Sequence, residues 1–303
     1  MTEKPRVGFI GVGLMGHGAA KNILERGRYA LTVLGHRNRG PVDDLVRRGA
    51  GEAANAAALV AATDVVLTCL PSSVEFEALF LGDAGIAASV RPGMIFVDLT
   101  TNDPAVTRKA GAALAERGAG LVDAALGRSP KEAEEGRLST YVGGDPALIE
   151  KVRPILSSYA DTIVVCGQLG AGTTCKLVNN SISLGTLALL AEAFATAAKL
   201  DVDLDALAEV ISAGGANSRM WQTVEPWIRS GDESRLKATL WTGAKDLRTY
   251  GHMAEAAGVA AFIAQAVSQT LQLALNHGHA DRFMPALPGV MAEINGTKIR
   301  ELG

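Results

Sequence analysis

The chain has 303 residues, 48% hydrophobic and 20% charged, with 29 basic and 32 acidic side chains for a formal charge of -3. That balance excludes a disordered chain, the interspersed charges leave no basic footprint for nucleic acid, and the length favours two domains over one continuous core. Cys69, Cys166 and Cys175 form no CxxC pair and have no histidine at ligand spacing, so neither a disulfide framework nor a bound metal is expected.

The opening Met1-Thr2-Glu3-Lys4-Pro5 lacks the apolar stretch of a signal peptide and runs straight into Val7-Gly8-Phe9-Ile10, which reads as a strand; a cytoplasmic protein is expected. A helical stretch from Leu14 to Arg26, a strand from Leu31 to Leu34 and a helical run from Pro41 to Arg48 follow. Alternation of this kind gives βαβ units and a parallel sheet. Further strands read at Asp64 to Cys69, Met94 to Asp98, Gly120 to Asp123, Thr140 to Gly143 and Thr162 to Cys166. Beyond Gly170 only helical periodicity remains, beginning with a long helix over about 173–200 that is apolar on more than one face. Asn179, Asn180, Ser181 and Ser183 interrupt its apolar run, which reads as a buried helix and not a membrane span. The expected organisation is an α/β domain over 1–168 and an all-helical domain over 169–303. The second is too apolar to stand alone, so a homodimer or homotetramer is expected, with Trp221, Trp227 and Trp241 in packing surfaces.

Gly11-Val12-Gly13-Leu14-Met15-Gly16 directly follows the first strand and opens the first helix, the context in which a GxGxxG pattern holds a dinucleotide on a doubly wound, Rossmann-type sheet. The acidic residue that would hold a ribose 2′-hydroxyl about twenty positions on is replaced by His36-Arg37-Asn38-Arg39. Arg37, Asn38 and Arg39 suit a 2′-phosphate, so NADP is expected ahead of NAD, which remains possible; the alternative is a solvated basic loop.

These motifs, together with Leu70-Pro71-Ser72-Ser73, Asp98-Leu99-Thr100-Thr101, the segment from Gly170-Ala171-Gly172 to Lys176-Leu177-Val178-Asn179-Asn180, and Lys245-Asp246-Leu247, resemble those of the β-hydroxyacid dehydrogenase family over nearly the whole chain. The resemblance implies that Leu70 and Pro71 line the cofactor and that Thr101 lies near its nicotinamide. Thr100-Thr101 also reads as a cap for a helix starting near Pro104. Hydride transfer to a carbonyl needs a positioned proton donor. In the family that group is the lysine matching Lys176, with Asn180, and to a lesser degree Asn179, binding substrate. Lys245 matches a second lysine that closes over the cofactor, with Asp246 on the substrate side; a surface ion pair is the alternative for Lys245.

Where the family's substrate loop reads Asp-Ala-Pro-Val-Ser-Gly-Gly, this chain has Asp123-Ala124-Ala125-Leu126-Gly127-Arg128-Ser129. Ser129-Pro130-Lys131-Glu132 reads as a helix start with a capping box, and the loop as an anion site at a helix N-terminus made by Gly127, Arg128 and Ser129. The Gly-Arg-Ser pattern resembles the sulfolactaldehyde reductase branch of the family. Arg128 could grip a sulfonate, brace a carboxylate or face solvent. The implied activity is an NAD(P)-dependent oxidoreductase that interconverts a small anionic 3-hydroxy acid and its semialdehyde. An imine reductase, which commonly lacks the lysine, and a non-catalytic nucleotide-binding protein are the alternatives.

Overall fold

The computed structural model describes residues 4–82 and 85–300 and divides into two compact units, Met1–Lys176 and Leu177–Gly303. The first alternates strand and helix: β1 (Val7–Ile10), α1 (Leu14–Glu25), β2 (Leu31–Leu34), α2 (Gly40–Arg47), β3 (Gly51–Ala53), α3 (Ala56–Ala62), β4 (Val65–Thr68), α4 (Ser73–Leu81), β5 (Ile95–Asp98), α5 (Pro104–Ala115), β6 (Gly120–Gly127), α6 (Pro130–Glu134), β7 (Leu138–Gly143), α7 (Pro146–Tyr159) and β8 (Ala160–Gly167). The strands form one sheet in the order β3-β2-β1-β4-β5-β6-β7-β8, parallel except between β6 and β7. The chain winds outward from β1 in both directions, so the carboxyl ends of β1 and β4 flank the point where strand order reverses.

β1, β4 and β5 are buried at every position, as expected of strands covered on both faces. Their side chains alternate between two cores. Phe9, Leu67 and Val97 join Ile23 and Leu45 on one side, while Ile10, Val66 and Phe96 join Leu59, Phe76 and Phe80 on the other. The His17 ring ties α1 to its neighbours, Nδ1 lying 2.6 Å from Glu134 and Nε2 3.1 Å from Asp44.

Sequence periodicity misses β3, a three-residue strand on the sheet edge, and ends β6 four residues early. The segment Ala124–Gly127, expected to be a loop, is buried strand paired with β7.

The second unit is helical: most of α8 (Ala171–Lys199), then α9 (Leu204–Ala213), α10 (Arg219–Ser230), α11 (Leu240–Ala256), α12 (Phe262–Asn276) and α13 (Leu287–Ile294). Its core includes Leu187, Phe194, Trp221, Trp227, Leu247 and Leu271. Trp221 stacks on Phe194 at 5.6 Å and donates from its indole N–H to Ser212 Oγ at 2.9 Å. Trp227 is buried too, and Trp241 is exposed on the single chain. Among the described residues α8 is the one helix long and apolar enough to cross a membrane by length and composition; Leu184, Leu187, Ala191 and Phe194 on it belong to the helical core.

The units part after Lys176, eight residues beyond the expected boundary. The physical reason is Asp123, whose Oδ1 accepts from Gly170 N and Oδ2 from Thr173 N, each at 2.7 Å. Gly172 fits there because a Cβ would stand 2.2 Å from the Tyr141 carbonyl oxygen. The first turn of α8 is therefore bound to β6 and β7 and belongs with the sheet.

Candidate active site

At the carboxyl end of β1 the chain turns through Gly11, at φ +96, where a Cβ would lie 2.2 Å from the Cys69 carbonyl oxygen. A Cβ on Gly16 would lie 2.0 Å from Gly11 O, so this glycine lets the helix close on the strand. Gly13 differs, since among the described residues nothing beyond its own neighbours in the chain lies within 4 Å of its would-be Cβ. The fold requires the first and third glycines, whereas the second leaves open space over the turn. Above that space α1 begins with Gly13 as N-cap, without a side-chain cap and without an acidic residue in its first turn. Its leading amides suit an anion, and the cradle fits a dinucleotide pyrophosphate. Val12 is buried beneath the turn, while Leu14 is exposed and Met15 half-buried above it.

The neighbouring carboxyl end of β2 opens on a cleft of about 530 Å³ lined by Gly35, His36, Arg39, Glu52, Ala53 and Ala54. Arg39 is not the available guanidinium that the sequence suggests. It donates to Glu52 at 2.6 and 3.0 Å and to Asp43 at 2.7 Å, and these carboxylates raise its pKa above the ordinary arginine value. Asn38 is a turn residue, its Oδ1 accepting from Gly40 N at 3.2 Å. Arg37 is exposed and has no ion pair among the described residues. Glu52 escapes sequence reading because the strand that carries it is itself unforeseen.

Next along the sheet, the carboxyl ends of β4 and β5 are knitted together. Leu70 N donates to Thr100 Oγ1 at 3.0 Å, and Thr68 Oγ1 to Asp98 Oδ1 at 2.9 Å. Leu70 is half-buried and Pro71 exposed at the rim. The Asp98 carboxyl is fully buried, which pushes its pKa up to about 7 against bonds from the Thr100 amide and Thr68 hydroxyl that favour the charged form. Burial also raises Asp123, its register partner on β6. Thr100 and Thr101 do not cap the next helix: Asp103 does, accepting from Ala105 N at 2.8 Å. Thr101 is left half-buried beside Asn102, whose N–H donates to Thr173 Oγ1 at 3.1 Å while Thr173 Oγ1 donates to Asn102 O at 2.7 Å. These two bonds fasten the Thr101 loop to the first turn of α8. Lys176, half-buried, follows Thr173 by one turn.

The expected anion loop is built differently. Gly127 is buried at the end of β6, and Arg128 takes φ 74. Its guanidinium donates to Asp161 at 2.8 Å, to Thr162 at 3.0 Å and to the Arg137 carbonyl. The Glu132 carboxylate already accepts from the Ser129 amide, at 3.2 Å, and from its hydroxyl. The capping box is present as the sequence indicates, but its own carboxylate fills the position proposed for a substrate anion. Glu132→Ala is expected to cost about 1 kcal/mol of stability; urea unfolding measures it.

In the second unit Asn180 Nδ2 donates to Asp246 Oδ2 at 2.7 Å, and Asp246 Oδ1 lies 3.1 Å from Lys245 Nζ. The pair is only 13% and 6% exposed at its two side chains, so it is a buried ion pair and not a surface one. Asn179, adjacent, is exposed.

Residues 6–167 match the family described as the NAD binding domain of 6-phosphogluconate dehydrogenase, and 170–288 the NAD-binding domain of NADP-dependent 3-hydroxyisobutyrate dehydrogenase. The 2-(hydroxymethyl)glutarate dehydrogenase of Eubacterium barkeri is 33% identical over 77% of each chain. The NAD-dependent L-serine dehydrogenase of Pseudomonas aeruginosa is 32% identical over 91% of this chain and 94% of its own. The chain belongs to the β-hydroxyacid dehydrogenase family. As a member it is a nicotinamide-dependent oxidoreductase. The 3-hydroxyisobutyrate dehydrogenase of Mycobacterium tuberculosis, solved with L-serine, superposes with a TM-score of 0.84 at 25% identity, over 94% of this dehydrogenase and 98% of that chain. Imine reductases share the fold alone, that of a Pseudomonas species at 19% identity and a TM-score of 0.61.

Proposed function

We propose that this dehydrogenase interconverts a small anionic 3-hydroxy acid and its semialdehyde, with Lys176 as the proton donor and acceptor. The observation that carries this reading is the Asn102–Thr173 pair of hydrogen bonds, which leaves Lys176 one turn from the loop holding Thr101. The nicotinamide, when bound, supplies or takes the hydride. Lys176 Nζ gives a proton to the oxygen that becomes the alcohol, and its neutral amine takes that proton back in the oxidation. Asn180, held by Asp246, and Asn179 are assigned to the substrate and Lys245 to the cofactor. Leu70, Pro71 and Thr101 line the cofactor at the strand ends. The names of both curated relatives describe a hydroxyl two carbons from a carboxylate, which supports a 3-hydroxy acid.

NADP is the preferred cofactor in this reading, with NAD accepted. Arg37 would take the 2′-phosphate, while Glu52, which lines the cleft beside Arg39, weakens discrimination by bringing negative charge there. Arg37→Ala is expected to lower kcat/KM with NADPH by about 10- to 100-fold, as loss of a charge-assisted contact implies, and to leave the NADH value nearly unchanged. Equal losses with both cofactors would remove Arg37 from this role. Self-association as a homodimer or homotetramer would cover the exposed Ile182, Leu189, Phe262 and Ile263. Residence in the cytoplasm suits three cysteines that, among the described residues, form no disulfide.

The test of the activity is steady-state oxidation of NADPH and NADH with methylmalonate, tartronate and succinate semialdehydes and sulfolactaldehyde. Selective turnover of one of them is the expected result. Turnover of cyclic imines and of no aldehyde would overturn the reading.

A further inference from the structure

Cys166 and Cys175 have no part in the chemistry assigned so far, yet the fold brings them together. Cys166 is the penultimate residue of β8, the edge strand, and the chain then reverses into α8 through Gly167, at φ +138, and Gly170, at φ +91. The reversal is tight, since a Cβ on Gly167 would stand 3.4 Å from the Ala171 Cβ. Cys175 lies one turn beyond Ala171 on the same helix face, alongside the end of β8. Both are free; Cys175 is exposed and Cys166 partly so. Lys176 is the very next residue after Cys175. Burial, with Cys175 alongside, pushes the Cys166 thiol up to about 12, so it stays protonated at neutral pH and the exposed Cys175 is the sulfur an oxidant meets first.

We propose that Cys166 and Cys175 form a reversible oxidation site, at which a peroxide closes a disulfide between the end of β8 and the second turn of α8 and thereby lowers turnover through Lys176. Cys175 sulfur attacks one oxygen of hydrogen peroxide, the O–O bond breaks, and a sulfenic acid and one water form. Cys166 sulfur then attacks the Cys175 sulfur, the S–O bond breaks, and a second water leaves with the Cys166 proton. The two thiols lose two electrons and the peroxide gains them. Dithiothreitol reverses the step by thiol–disulfide exchange.

The effect on rate follows from position. A disulfide is shorter than the contact between two thiols, so the helix must shift where Lys176 is mounted, and a displacement of ~1 Å in a reacting group can cost about 100-fold in rate. The effect on turnover rests on the proposed role of Lys176, whereas formation of the disulfide does not.

The full-length protein is reduced, treated with graded hydrogen peroxide and alkylated before digestion with trypsin. Lys151 and Lys176 bracket both cysteines, Arg153 being shielded by Pro154, so the disulfide appears as loss of two hydrogens within one peptide that no longer takes the alkylating agent. Turnover is assayed on the same samples. The expected result is an intrapeptide disulfide with a fall in kcat of about tenfold or more, both reversed by dithiothreitol and both absent from Cys166→Ser and Cys175→Ser, which keep the activity of the reduced wild type. Two alkylatable thiols after peroxide, or a disulfide-bonded enzyme as active as the reduced one, would overturn the proposal. The mass readout needs no substrate, so it stands even if Lys176 proves not to carry the proton.

Discussion

Lys176→Ala is expected to lower kcat by about 10²- to 10⁴-fold, the range for removing a general acid or base, while the reduced nicotinamide cofactor still binds with nearly its original affinity. The two effects separate because the cofactor cradle is made by Gly11, Gly13 and the amides of α1, none of which depends on Lys176. Lys176→Arg sharpens the test. A guanidinium cannot give up its proton at accessible pH, so alcohol oxidation should stay as low as in the alanine variant. Steady-state kinetics in both directions, with NADPH fluorescence for binding, reads all of this. An alanine variant within about tenfold of the wild type would show that another group moves the proton.

The second large effect is a pH-dependent gain in stability on Asp98→Asn. The buried Asp98 carboxyl is held at about 7, against an ordinary value of 3.8. Below 3.8 it is protonated in both folded and unfolded chains and carries no penalty. Between 3.8 and 7 the unfolded chain releases the proton and the folded chain keeps it, so stability falls as pH rises, by about 1.4 kcal/mol per pH unit. Above 7 the penalty is complete, at most roughly 4 kcal/mol. An asparagine oxygen can still accept from the Thr68 hydroxyl and the Thr100 amide, which the carboxylate engages at 2.9 and 3.1 Å, without any charge to bury; the variant loses only the long bond, at 3.4 Å, that Oδ2 accepts from Asn102 Nδ2. In urea unfolding from pH 4 to pH 8 the difference between variant and wild type should widen in the variant's favour up to about pH 7 and then level off. Parallel stability curves would mean that the wild-type carboxyl is ionised throughout.

The parts of this site that could be read from sequence are those set by local chemistry. Three glycines at fixed spacing after an apolar strand can make one kind of turn, and Ser129-Pro130-Lys131-Glu132 caps its own helix. What escaped depends on residues distant in the chain. Nothing near Asp123 announces that its carboxylate binds amides 47 and 50 residues later. Arg39 looks like a phosphate ligand until β3, a Gly-Glu-Ala edge strand with no apolar pattern, brings Glu52 against it. Ala124 to Gly127 likewise lack the β-branched and aromatic side chains that favour a strand, and pairing with β7 overrides their weak preference. The choice among the three roles open to Arg128 is hidden for a related reason, because its partners Asp161 and Thr162 lie on β8, two strands away.

The grip of Asp123 on the start of α8 has a consequence for how such enzymes can diversify. The lysine is in effect a fixture of the nucleotide-binding half, bolted there through Gly170 and Thr173. Everything downstream of it could be exchanged to suit other substrates while the Lys176 amine, the proton carrier in the proposed mechanism, keeps its place against the sheet. The natural seam for a chimera therefore falls inside the long helix, after Lys176, and not in the loop that precedes it.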